Sequence, residues 1–91
     1  MIEKSWKTLK DWNDISAELQ RTYHFPFERR DGTVILVQFR IDDPKLLLST
    51  RGNPLGGDSH RVIAGDRSVY VPRGWIGLEW TNGEEEDLYH F

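Results

Sequence analysis

His60, Arg61, Arg73 and Glu79 are residue types that would do chemistry if the fold brought them together. An imidazole base, a carboxylate and two guanidinium groups are the parts of a small metal-independent nuclease, in which His moves a proton and Arg steadies developing charge. Their spacing does not require them to meet, so no residue is assigned as catalytic. A second set, Arg51, His60, Arg61, Arg67, Tyr70, Arg73 and Trp75, combines guanidinium groups with aromatic rings. That pairing suits an anionic, planar small molecule.

The strongest charge feature is Glu84-Glu85-Glu86-Asp87, directly after Asn82-Gly83. Such runs are commonly solvated faces. With Trp80, Tyr89 and Phe91 beside it, the run also has the composition of an acidic edge, one that steers onto a basic protein and is then held by apolar anchors. Net charge is -3 with 12 basic and 15 acidic side chains, which argues against affinity for nucleic-acid phosphates. The imbalance is local. Residues 1–45 hold eight of each sign and residues 46–91 hold four basic against seven acidic, which recovers those totals.

The stretch RGNPLGGDS, residues 51–59, comes near to a phosphate-binding loop, with Gly52, Gly57 and Ser59 in place. Asp58 stands where the lysine belongs, and the residues that follow read as strand, turn and strand instead of the helix whose N-terminus would face a phosphate. A turn joining two strands is the expectation, with Arg51, Asp58 and His60 as its polar residues. Further on, Gly65, Pro72, Gly74 and Asn82 resemble the second motif of the cupin barrels over less than a fifth of the chain. The sequence departs from that pattern: Gly77 occupies the metal-ligand position and no His-x-His element precedes it. Metal chemistry is therefore not implied. His24, His60 and His90 have no metal-ligand spacing, so neither metal nor cofactor is assigned.

Several elements must position these residues. Leu9, Trp12, Ile15, Leu19 and Tyr23 fall at spacings of three and four, which predicts an amphipathic helix from Thr8 to Tyr23 with Lys10, Asp14, Glu18 and Arg21 on its polar side. The segment HFPFERRDGTVILVQFRI predicts a hairpin about a two-residue Asp31-Gly32 turn. Pro26 marks its first strand as an edge, and the second is expected to be central. Short strands follow in LLLST, SHRVIAG, SVYVP, WIGLEW and DLYHF. The expected fold is α+β, an N-terminal amphipathic helix on an antiparallel meander of about five or six strands, with a strongly curled sheet or small barrel as the alternative.

Ninety-one residues suit a single domain spanning 1–91. With no cysteine, stability rests on packing, and four Trp, three Tyr and four Phe supply its material. The charged N-terminus offers no signal-peptide core, so a soluble cytoplasmic protein without membrane contact is expected. These features point to a small interaction protein that masks a basic protein partner, as immunity proteins, antitoxins and phage inhibitors do. It would make no direct contact with nucleic acid, and an edge strand could form a homodimer by strand addition. Binding of an anionic ligand and metal-independent nuclease activity are the alternatives.

Overall fold

The computed structural model describes residues 6–8, 18–49, 57–81 and 86–90. Among them eight strands follow in order: β1 (Lys7–Thr8), β2 (Gln20–Glu28), β3 (Val34–Asp42), β4 (Pro44–Ser49), β5 (His60–Ala64), β6 (Arg67–Val71), β7 (Gly77–Thr81) and β8 (Glu86–His90). They form a five-stranded sheet of order β1-β8-β7-β2-β3 and a three-stranded sheet of order β4-β5-β6. All pairings are antiparallel except that of β1 with β8.

The β2-β3 hairpin exists, with a turn longer than predicted. Arg29 N–H donates to Thr33 O at 2.8 Å, Gly32 N–H donates to Arg29 O at 2.9 Å, and Gly32 sits at φ 88°. This is a three-residue loop closed by a left-handed glycine, the next commonest hairpin after the two-residue form. The Asp31 carboxylate accepts from the Thr33 hydroxyl at 2.6 Å and from its N–H at 3.0 Å. Those two bonds hold the Asp31 carboxyl below the usual carboxylate range.

The predicted α+β class is overturned, since no described residue is helical. Lys7–Thr8 is extended, and from Gln20 onward the chain is strand; residues 9–17 of the expected helix lie outside the described residues. The misreading has a physical cause. Arg21, Thr22, Tyr23 and His24 are all buried, because this half of β2 is flanked by β3 and β7 and covered on both faces. A strand buried all round shows no alternation, and Tyr23 fell by chance on a helical spacing with Leu19, which is exposed.

The edge and central assignments are also reversed: β2 is internal and β3 terminal. Pro26 is tolerated because β7 pairs only with Gln20–His24, leaving the outer half of β2 with a single neighbour where a missing N–H costs nothing. A single meander is likewise replaced by two sheets facing each other across one core. Tyr23, Ile41, Leu78 and Trp80 of the larger sheet meet Val62, Ala64 and Val71 of the smaller one, with Trp75 between them. Full burial of one large aromatic removes about 200 Å² from water, a gross gain of about 5 kcal/mol before entropy is charged. Tyr23, Trp75 and Trp80 therefore carry much of a small core. No described segment is a helix long and apolar enough to cross a membrane.

Candidate functional site

Where β2 faces β5, a chain of buried polar groups crosses the core between the two sheets. His60 begins β5 and is fully buried. Its Nδ1 lies 3.1 Å from Asp58 O. A carbonyl only accepts, so Nδ1 carries the proton and Nε2 is left with its lone pair. That lone pair faces the Tyr23 hydroxyl, which must donate to it. The Tyr23 oxygen in turn accepts from Arg21 Nη1 at 2.8 Å, and Arg21 Nη2 pairs with the buried Glu18 carboxylate. The direction is fixed outward from Arg21, which donates to the Glu18 carboxylate on one side and, through the Tyr23 hydroxyl and then His60, toward the Asp58 carbonyl on the other.

The protonation states agree with this direction. Burial pushes the Tyr23 hydroxyl up to about 12 despite the neighbouring Arg21 guanidinium, so the phenol keeps its proton. Burial pulls His60 down to about 4; the Asp58 carbonyl opposes that shift and Arg21 adds to it, so the imidazole stays neutral at pH 7.

Rings hold the same groups in place. Trp75 meets Tyr23 edge-on at 5.0 Å and His60 at 5.8 Å, and its Nε1 donates to Asp58 O at 3.0 Å. Asp58 O thus ties the loop before β5 to both rings. Gly57 lets the loop reach this position: φ is 86°, its carbonyl accepts from Gly74 N–H at 2.9 Å, and a Cβ would stand 2.7 Å from Trp75 O. Gly57→Ala combines left-handed strain with a backbone clash, and a loss of about 2 kcal/mol is expected. Urea unfolding of the variant checks it.

A second buried pair occupies the other face of the larger sheet. His24 Nε2 bonds Glu79, and the Trp6 ring meets His24 edge-on at 5.0 Å. Gly77 makes room for that ring, since a Cβ there would lie 2.8 Å from Trp6.

These positions decide which sequence candidates converge. Glu79 pairs in register with Thr22, so it shares the face opposite to Tyr23 and His60. The His60, Glu79, Arg61 and Arg73 set is therefore divided by the sheet. Arg61 lies outside the core, 5.3 Å over the ring of the half-exposed Tyr70. Arg73 sits 3.5 Å from the Asp58 carboxylate, and Arg67 is exposed at the start of β6. Trp75 and His60 are core residues, and Arg51 lies outside the described residues. The arginines and rings thus do not line one pocket.

Of the acidic-edge set, Glu84, Glu85 and Phe91 lie outside the described residues. Glu86, Asp87 and Tyr89 lie in β8, in register with Thr81, Trp80 and Leu78. Trp80 is only 2% exposed, so it is core and offers a partner no surface.

Sequence reasoning missed Glu18, Arg21, Tyr23 and His24 as a polar network because it placed the first two on the wet side of a helix. The available signal was QRTYHFPF, whose β-branched and aromatic residues favour a strand and so put Arg21 and Tyr23 on one face. Among the described residues no group of three His, Cys, Asp or Glu stands ready to hold a metal ion. The chain matches no family model, no curated protein and no solved structure.

Proposed function

We propose that this chain is a small interaction protein that binds and masks a larger protein with a basic surface, in the manner of immunity proteins, antitoxins and phage inhibitors. The observation that carries the reading is the commitment of His60. Both of its nitrogens are hydrogen-bonded inside the core, so the imidazole best placed by sequence for acid–base work is a structural tie between sheets. His24 Nε2 is bonded to Glu79 on the other face of the larger sheet. Among the described side chains, His24, His60 and Glu79 hold the fold, and this reading places recognition on the surface.

In this reading the carboxylates Glu84, Glu85, Glu86 and Asp87 steer the protein onto a basic groove, and Tyr89 and Phe91 anchor it there. Trp80 contributes from beneath, by fixing β7 against which β8 is laid. The partner is recovered by tagged pull-down from source-cell lysate at low and high salt. Reversal of all four carboxylates to lysine is then expected to slow association about tenfold or more and to reverse or flatten its salt dependence. Unchanged association would remove the acidic edge from the account.

A further inference from the structure

A single residue carries the chain from the larger sheet to the smaller one. β3 ends at Asp42 and β4 begins at Pro44, so Asp43 alone makes the crossing. It does so at φ 52°, the one left-handed residue other than glycine among the described residues. An L side chain is strained there, and the residue before a proline is driven toward extended backbone. Asp43 is thus held away from the conformation that both its own Cβ and Pro44 favour. Its local contacts are ones that water can replace. The Asp43 N–H donates to the carbonyl of the exposed Leu19 at 2.9 Å, and its carboxylate lies 3.5 Å from Lys45 on the surface.

Asp43 also divides the described structure cleanly. The β2-β3 ladder lies wholly before it, and the ladders among β4, β5 and β6 lie wholly after it. What crosses the division is the pairing of β2 with β7, the pairing of β1 with β8, and the core, where Tyr23 meets His60 and Trp75. The piece carrying β1 to β3 and the piece carrying β4 to β8 therefore complete one another and are joined by one strained residue.

We propose that Asp43 is the hinge of a domain-swapped dimer, in which it relaxes to extended backbone, β3 runs on into β4, and β1 to β3 of each copy pack on β4 to β8 of the other. The occupant follows from the interface, since a second copy of this chain supplies the β7 edge, the Trp75 ring and the His60 imidazole that β2 already fits. Apart from the hinge bond to Leu19, the exchanged dimer keeps the contacts between the two pieces. It differs from two monomers in relieving two strained residues, at a cost in association entropy that concentration offsets. Charge does not oppose the joint, because Arg40 bonds Asp42 and Lys45 lies beside Asp43.

Exchange requires β2 to leave β7, so the dimer forms on refolding. Refolding from urea over a series of chain concentrations, followed by gel filtration with light scattering, is expected to give a rising fraction of dimer. Asp43→Gly, free to take positive φ, is expected to lower the dimer association constant about tenfold or more. Asp43→Val, whose branched Cβ disfavours that φ, is expected to raise it by about the same factor. The exchange itself is read in dimer refolded from carbon-13-labelled and unlabelled chains. Isotope-filtered NOEs are expected between the Tyr23 ring of one chain and the Trp75 ring of the other, whose centres lie 5.0 Å apart. A wild-type chain that stays monomeric at every concentration would overturn the proposal. So would a dimer indifferent to both substitutions, or one whose Tyr23 and Trp75 NOEs are confined to single chains.

Discussion

Arg21→Ala is expected to destabilise the protein by about 3–5 kcal/mol, the largest effect of any single polar substitution in the described structure. Arg21 is buried with Glu18, and it also donates to the Tyr23 hydroxyl. Its removal strands a carboxylate in the core and leaves the phenol oxygen without that donor. Against a total stability of about 5–15 kcal/mol for a domain of this kind, such a loss brings the variant close to unfolding. The cause is the uncompensated charge and not the loss of an attractive pair, which gives the prediction its check. Glu18→Leu combined with Arg21→Met removes both charges while keeping volume, and is expected to regain most of the loss. Urea midpoints of wild type, Glu18→Leu, Arg21→Met and the double variant close the cycle. A double variant as unstable as the sum of its parts would show that the pair acts in some other way.

Acid is expected to loosen the same network. His60 titrates near 4 in the fold and near 6.5 when unfolded. Folding therefore favours the neutral ring, and the sign follows: stability is full above pH 6.5, declines as the unfolded chain takes up a proton there, and levels off below about pH 4. One decade of pH is worth about 1.4 kcal/mol for one proton, so the loss across this window is about 3 kcal/mol. Asp31 and Asp42 are held below the ordinary carboxylate range by their hydrogen bonds, to Thr33 and to Arg40 and Gln20 respectively, so their losses come at lower pH. His60→Gln presents an acceptor to Tyr23 without a titrating ring. The difference in stability between wild type and this variant, followed from pH 7.5 to 4, is expected to fall by the amount stated. A constant difference would mean that His60 does not titrate differently on folding.

The hairpin and the short strands after residue 60 were legible because turn residues and alternation speak locally. Asp31-Gly32 marks a turn and the run from Val34 to Arg40 a strand, both from local residue types. Arg21 to His24 were not legible, since their burial is decided by neighbours distant in sequence: Trp80 and Leu78 on one edge, Ile41 and Phe39 on the other. The same holds for the candidate site. His60 attracts notice as a reactive type, but its partners Tyr23 and Arg21 lie almost 40 residues earlier on another sheet. Only pairing register shows that Tyr23 faces His60 while Glu79 faces away. Exposure was the other hidden quantity. In the sequence Trp80 reads as a partner anchor and Tyr70 as a ligand-binding ring, both requiring exposure, yet the first is core and the second is half-exposed beneath Arg61.

The functional reading depends on His60 being a neutral, buried tie that neither takes nor gives protons near neutral pH. Nitrogen-15 NMR of the histidine side chains through a pH titration tests this most directly. The account predicts one imidazole locked with its proton on Nδ1 from pH 7.5 to about 5, titrating near 4 as the fold loosens. His60 titrating near 6.5 in the folded protein and exchanging tautomers would contradict it and return that residue to the candidates for chemistry.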